Sequence, residues 1–200
     1  MTTTEAAAEV AALPLWVKVV QTAFVAVLVP VYWRRYGPRN FLWLCDTALI
    51  LSVPALWLEH RLLASMQAVA VLVPDVLWTL DFALGLAAGR PVTRFTSYMF
   101  DARLPRRVRA LSLFHLWLPW VLVWLVAEVG YDRRALAAQI AAGSLSLVVT
   151  FVVSSPKENI NYVFGLSPGP RRDVRTLALA LVAFPIMFYV PADLALRALF

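Results

Sequence analysis

The chain has 200 residues, of which 62% are hydrophobic and only 15% are charged, and its formal net charge is +6 at pH 7. Soluble domains are usually about half apolar and about one quarter charged, so a mean hydropathy of +0.74 excludes an ordinary soluble protein. The single cysteine, Cys45, excludes an internal disulfide, a CxxC redox pair and a thiolate metal site.

Six apolar blocks follow one another along the chain. Their length of about twenty residues is what an α-helix needs to cross ~30 Å of hydrocarbon. A bilayer admits only helices and closed barrels as spanning structures, and the blocks lack the alternation of barrel strands. We therefore predict an all-α polytopic membrane bundle, a single domain over 1–200, with six transmembrane helices at about 13–33, 41–59, 62–87, 112–130, 135–154 and 176–198.

Basic residues are concentrated in the links after the first, third and fifth blocks, which hold 13 of the 18 Lys and Arg residues. Because positive loops stay in the cytoplasm, we predict a multi-pass cell-membrane protein with both termini outside the cytoplasm. Anionic lipid headgroups are natural partners for these arginines, so the basic pI requires no nucleic acid. A second copy or another membrane subunit is a further possible partner. Four polar residues lie near the outer ends of the blocks: Glu59, His60, Glu128 and Asp193. Most of them are expected to be solvated anchors, and the alternative for Glu128 is a second, outward site.

Three aspartates lie inside the second and third blocks. In the predicted topology Asp46 and Asp81 each lie about five or six residues, or roughly 8–9 Å, from the cytoplasmic end of their helices. Asp75 lies nearer the membrane centre, directly after Pro74, which interrupts the third block. An aspartate at that depth costs about 2.5–3.5 kcal/mol, and intramembrane acids usually mark a site or a pathway. The alternative is a hydrogen bond that joins neighbouring helices.

The segment RPVTRFTSYMFDARLPRRVRA at 90–110 links the third and fourth blocks. Phe95, Met99 and Leu104 would share one face of a short helix flanked by arginines, which predicts an interfacial amphipathic helix. Arg103 and Arg106 would then bind the anionic headgroup of a substrate. The alternative is a positively charged loop that only fixes the topology.

His115 lies about one turn inside the fourth block, which places it in the same cytoplasmic-side layer as Asp46 and Asp81. A histidine with a nearby carboxylate suits general acid–base chemistry. We therefore predict a catalytic group in which His115 is the base and Asp46 or Asp81 orients it or acts as the acid. Asp75 is predicted to contribute to substrate binding. The alternative is that His115 is a structural residue near the end of a helix.

The link after the fifth block, SSPKENINYVFGLSPGPRRDVR, concentrates polar residues on the same predicted side. Lys157, Asn159, Asn161 and Tyr162 are predicted to contact substrate, since polar loops over a membrane site often carry binding groups. The alternative is a proline-rich turn with solvated side chains. The chain has no metal-ligand spacing, no phosphate-binding glycine loop and no lysine deep in a span, so we predict neither a metal nor a cofactor.

Three stretches, RYGPRNFLWLCD at 35–46, FHLWLPWVLVWLVAE at 114–128 and NINYVFG at 159–165, resemble the androgen-induced family of six-helix membrane hydrolases and related bacterial integral membrane proteins. In that family a threonine on the second helix and a later histidine, often followed by Leu-Pro, act on fatty-acid esters. His115, with Leu118 and Pro119 after it, matches the histidine. Trp43 stands at the place of the threonine, and the family's termini face the side opposite to the one predicted here.

Three classes of function follow from these observations. The first is a membrane-embedded enzyme, a hydrolase or acyltransferase, that acts on a lipid or acyl substrate. The second is a small proton-coupled transporter or transport subunit that uses Asp46, Asp75 and Asp81 as proton or cation sites. The third is an assembly subunit without chemistry, whose polar residues only join helices.

Overall fold

The computed structural model describes residues 13–166 and 171–200, and these ranges form helices joined by short links, without a β-strand. Two parts of the predictions lie outside the described residues: residues 1–12 of the predicted domain and residues 167–170 of the predicted substrate loop. The main helices are α1 Leu15–Tyr36, α2 Leu44–Leu58, α3 Arg61–Ala88, α4 Arg106–Val129, α5 Ala135–Val153 and α6 Val174–Leu199. All except α2 are long and apolar enough to cross a membrane, and α2 is a shorter apolar helix. The predicted all-α membrane bundle is confirmed.

The second helix begins later than the sequence predicts. A 3₁₀ turn occupies Pro38–Leu42, and α2 starts at Leu44, so Asp46 lies in its first turn rather than about five residues inside. The first turn leaves backbone N–H groups without helical partners and carries a partial positive charge. A carboxylate is therefore far easier to accommodate there than in the middle of a span.

The fourth helix begins earlier than predicted, at Arg106 instead of residue 112, and it includes a 3₁₀ turn at Ser112–Leu116 before the α-helix resumes at Leu118. The interfacial segment 90–110 therefore has one short helical turn of its own, Ser97–Phe100, and its last residues belong to α4. Met99 is buried, whereas Phe95 and Leu104 are half-buried.

The third helix is the centre of the bundle, because it packs against α2, α4, α5 and α6. Small buried residues such as Ala64 and Ala68 let its neighbours approach closely. The helix continues through Pro74, so the predicted interruption is wrong. Prolines are tolerated inside membrane helices when neighbouring groups satisfy the freed backbone. Gly89, at φ 65°, ends α3 in the left-handed conformation that glycine adopts without strain.

The outward faces of the helices carry large apolar side chains. A soluble protein would not expose so many of them in continuous stripes, whereas hydrocarbon solvates them. Examples that are between 59% and 69% exposed occur on all six helices: Leu15, Trp16, Val20, Leu58, Leu84, Trp120, Leu145, Val152, Leu179 and Ile186.

Candidate functional site: a buried polar cluster

Polar side chains from four helices and one link gather where α1 ends, α2 begins and α3 ends. We call these residues the polar cluster: Tyr32, Asp46, Asp75, Trp78, Asp81, Tyr98, Ser112 and His115. The cluster lies in the half of the bundle that the charge distribution predicts to face the cytoplasm. Its three aspartates and its histidine are each at most 8% exposed.

His115 is held by one hydrogen bond and two aromatic rings. Its Nδ1 atom lies 2.7 Å from the backbone oxygen of Ser112. A carbonyl oxygen only accepts, so Nδ1 carries the proton and Nε2 has the lone pair in the neutral ring. The imidazole stacks on Trp78 at 4.5 Å and on Phe114 at 4.1 Å between ring centroids. The geometry therefore fixes both the orientation of the ring and its tautomer.

Hydroxyl groups extend the cluster from α1 to the link after α3. The Tyr32 hydroxyl and the Ser112 side chain share a hydrogen bond of 2.7 Å, which joins α1 to α4. Trp78 Nε1 donates to the Tyr98 hydroxyl at 3.1 Å, which joins α3 to the link. Burial raises the pKa of the Tyr98 hydroxyl, so this group stays protonated and can donate a hydrogen bond.

Asp81 organises the start of the link between α3 and α4. Its Oδ2 atom accepts from Thr93 Oγ1 at 2.9 Å, from the Thr96 backbone N–H at 3.1 Å and from Thr96 Oγ1 at 2.6 Å. Its other oxygen, Oδ1, is buried without a hydrogen-bond partner among the described residues. Asp81 thus holds the 93–96 turn against the end of α3.

Asp46 and Asp75 are two buried carboxyl groups on the neighbouring helices α2 and α3. Asn40 Nδ2 donates to Asp46 Oδ2 at 2.6 Å, across the 3₁₀ turn that precedes α2. Asp75 is 1% exposed, and its Oδ2 atom has no hydrogen-bond partner in the described part of the chain. Buried polar atoms without partners are rare in proteins and call for an explanation.

The three residues predicted to be catalytic lie in one cluster but use different hydrogen-bond partners. His115 bonds to Ser112, Asp46 to Asn40, and Asp81 to the 93–96 turn. Within the residues that the structure describes, no hydrogen bond joins His115 to either aspartate. The predicted histidine–carboxylate pair is therefore absent from this arrangement, and the catalytic roles stay predictions.

The predicted substrate loop holds the start of α2 with its asparagines. Asn161 accepts from the Leu44 backbone N–H at 3.1 Å and donates to the Leu42 carbonyl at 2.7 Å. Asn159 bonds in the same way to the backbone of its own loop, at Phe164 and Gly165. Both side chains are thus occupied by backbone groups. Two other residues of the loop were predicted to contact substrate. Lys157 is exposed, and the ring of Tyr162 packs against Trp43 with 5.8 Å between ring centroids.

The two arginines predicted to bind a headgroup are both exposed. Arg103 pairs with Asp101 at 2.9 Å, and the hydrogen bonds from Arg103 lower the pKa of Asp101 to about 2. Arg106 is the first residue of α4. Arg109, which was not singled out from the sequence, donates to the Met99 carbonyl at 2.7 Å and so ties α4 to the link.

Sequence reasoning missed Tyr32, Trp78, Tyr98 and Ser112. Spacing contained part of the signal, because Trp78 lies three residues from Asp75 and three from Asp81, on the same side of α3. Ser112 likewise precedes His115 by three residues. Nothing local marks Tyr98, which depends on the path of the link. No group of three or more His, Cys, Asp or Glu side chains suited to a metal ion occurs within 13–166 and 171–200.

The hydropathy of the helices and their exposed apolar faces define an all-α integral membrane protein. Comparisons with protein-family models, with curated proteins and with solved structures find no match for this chain. The resemblance to the androgen-induced family stays a prediction that depends on the three stretches quoted above.

Proposed function

We propose that this protein is a membrane-embedded enzyme that cleaves or transfers the acyl group of a lipid, with His115 as the general base. The observation that carries the proposal is the hydrogen bond between His115 Nδ1 and the Ser112 carbonyl. It leaves Nε2 as the basic nitrogen in a buried ring that stacking holds in place. Catalytic histidines are commonly oriented through their second nitrogen in this way.

In the proposed reaction, Nε2 takes a proton from an attacking water or alcohol while the oxygen of that group forms a bond to the acyl carbonyl carbon. The bond from that carbon to the leaving oxygen then breaks, and the proton passes to the leaving alcohol. Hydrolysis and acyl transfer differ only in the attacking group. Tyr32 and Tyr98 supply hydroxyl groups in the same cluster that could donate to the developing oxyanion. Asp46 and Asp81 are the proposed positioning residues, because they hold the turn before α2 and the 93–96 turn that border the cluster.

The proposed substrate is reached from the leaflet on the arginine-rich side, which we propose to be the cytoplasmic side of the cell membrane, with both termini on the other. Anionic headgroups are the proposed lipid partners there. Arg106 and the exposed parts of Arg103 and Lys157 are available to such headgroups. An open cavity of about 300 Å³ on α1, lined by Val29, Pro30, Trp33 and Arg34, lies beside the helix end that carries Tyr32.

The test is turnover in proteoliposomes that contain mixed phospholipids and synthetic fatty-acid esters, with products identified by mass spectrometry. His115→Asn should abolish turnover while the protein stays folded, because asparagine can still donate to the Ser112 carbonyl but offers no basic nitrogen. His60→Asn is the matched control, since His60 caps α3 with Nδ1 and asparagine is a good N-cap residue. Retained turnover in His115→Asn would end the assignment of the base. An inactive wild-type protein would count against the enzyme proposal.

A second proposed function is proton-coupled transport, and the unpartnered Oδ2 atom of Asp75 favours it. A buried carboxyl group in a membrane helix can bind and release a proton as its surroundings change. Asp46 would then receive that proton on the way to the arginine-rich surface. Proteoliposomes with an internal pH-sensitive dye test this proposal. Asp75→Asn should abolish proton flux, and the control Asp173→Asn, which keeps a good N-cap for α6, should not.

A further inference from the structure

Four arginines converge at the end of the bundle opposite the polar cluster. They come from the start of α3, from the link between α4 and α5, and from the last turns of α6. By the charge distribution, this side of the membrane is poor in basic residues. The arginines nevertheless share one open cavity of about 420 Å³, lined by Arg61, Tyr131, Asp132, Arg133, Arg134, Arg197 and Phe200.

Arg61 is held rigidly in this cavity. Its Nε and Nη2 atoms both donate to the Tyr131 carbonyl, at 3.1 Å and 2.6 Å. The guanidinium lies against Gly130, where a Cβ atom would come within 3.2 Å of it, and Gly130 has a positive φ of 86°. The backbone conformation favours glycine here, and the absence of a side chain leaves room for the guanidinium. A guanidinium fixed in this way presents its remaining N–H groups without further loss of side-chain entropy.

A buried carboxylate holds the second arginine. Asp193 is 3% exposed, accepts from the Tyr131 hydroxyl, and pairs with Arg197 Nε at 2.7 Å. Arg197 Nη2 also donates to the Arg133 carbonyl at 3.2 Å. The prediction that Asp193 is a solvated anchor is therefore wrong. The sequence gives no sign of the contact, because Tyr131 and Asp193 meet only when α6 packs beside the link.

Positive charge remains after these pairs are formed. Arg134 pairs with Asp132 at 2.8 Å, and hydrogen bonds from Arg134 lower the pKa of Asp132 to about 2, so both groups are charged at neutral pH. Asp132 and Asp193 balance two of the four guanidinium groups. Within the described ranges, the exposed side chain of Arg133 makes no hydrogen bond. A bound anion would neutralise the positive charge that remains on the arginines.

We propose that this arginine cavity binds a phosphate-bearing anion, either the headgroup of a phospholipid in that leaflet or free phosphate. A guanidinium group binds two phosphate oxygens through two parallel hydrogen bonds, and it is more weakly hydrated than an ammonium group. The volume lies in the range of ligand sites, which is roughly 300–1,000 Å³. Exposed Leu199 and Leu58 near the same helix ends indicate contact with lipid close to the cavity. This site is at the other end of the bundle and does not depend on the proposed chemistry of His115.

The full-length protein, with its affinity tag at the N-terminus so that the lining around Phe200 is unchanged, tests the proposal in two arms. The lipid arm places it in nanodiscs of phosphatidylcholine with phosphatidylglycerol and counts retained lipid by native mass spectrometry. The phosphate arm measures thermal unfolding in detergent with and without inorganic phosphate. Arg133→Ala should reduce binding about tenfold in whichever arm shows it, because one phosphate contact is worth about 1.4 kcal/mol or more. Lys18→Ala, which removes a positive charge outside both the cavity and the arginine-rich links, is the matched control.

Retention of phosphatidylglycerol without an effect of phosphate identifies a headgroup site, and stabilisation by phosphate identifies a soluble ligand. Binding in neither arm overturns the proposal, as does binding by Arg133→Ala equal to that of the wild type. If Arg133→Ala does not fold, Arg133→Lys keeps the charge but loses the two-pronged geometry. An Arg133→Lys protein with full affinity would then contradict the guanidinium contact.

Discussion

The imidazole of His115 lies flat on the indole of Trp78, with 4.5 Å between ring centroids and 13° between the ring planes. The same indole donates its Nε1–H to Tyr98. Trp78 therefore connects the proposed base to the link between α3 and α4. The position of His115 depends on α3 as much as on its own helix.

Two substitutions of Trp78 should separate the energy of its stacking on His115 from that of its hydrogen bond to Tyr98. Trp78→Phe keeps an aromatic ring under His115 but loses the donor to Tyr98, so we expect a cost of about 1 kcal/mol in unfolding free energy. Trp78→Ala also leaves a cavity beside the imidazole, and we expect a cost of about 3 kcal/mol. Denaturant unfolding in detergent measures both values. Equal stabilities for the two variants would show that the stacked ring contributes little.

Asp81 should control the accessibility of the link after α3. Asp81→Ala removes the acceptor of three hydrogen bonds to Thr93 and Thr96, and we expect a cost of about 2 kcal/mol. The exposed bond after Arg94 should then be cut faster by trypsin. Limited proteolysis followed by mass spectrometry gives the rate. Asp101→Ala is the control in the same link, because it removes only the ion pair and the hydrogen bonds that Asp101 makes with the exposed Arg103. Equal cleavage rates would contradict the role of Asp81.

Asn161 should stabilise the start of α2. Asn161→Ala leaves the Leu44 N–H and the Leu42 carbonyl without partners, which costs about 2 kcal/mol. It also places alanine at a φ of 52°, which adds about 1 kcal/mol. Asn161→Gly removes the hydrogen bonds without that strain, so it should lie between the wild type and the alanine variant. Thermal unfolding measures the stabilities of the three proteins. Lys157 lies on the exposed part of the loop, so the control Lys157→Ala should be as stable as the wild type.

Hydropathy predicted the spans well where the apolar sequence continues to both ends of a helix. The expected 62–87 and 135–154 agree within one residue with α3 and α5. The start of α4 was missed because its first turn, RRVRA, is polar and resembles a loop. The depth of the acids and His115 predicted a polar layer, but not its hydrogen bonds. The partners of Asp81 and Trp78 come from the link after α3, whose path is set by tertiary packing, as where Phe100 fills the space beside Gly85.

Glu158 should make stability depend on acid pH. Burial disfavours its charge, but hydrogen bonds from Ser155 and the nearby Arg39 outweigh this effect and lower the pKa of Glu158 below its usual value of about 4.5. A folded-state pKa below the unfolded one contributes stability above the unfolded value. That contribution is lost as the pH falls from the usual value through the folded pKa.

Glu158→Gln should therefore be less stable than the wild type near neutral pH, and the difference should vanish in acid. Glutamine can still accept from Ser155 but cannot pair with Arg39 as an anion. Since Arg39 is more than half exposed, solvent screens the pair and the difference should be small. Thermal unfolding of both proteins from about pH 7 to about pH 3 measures it. A difference that persists at the acid end would show that the hydrogen-bond geometry, not the charge of Glu158, holds the loop to the turn before α2.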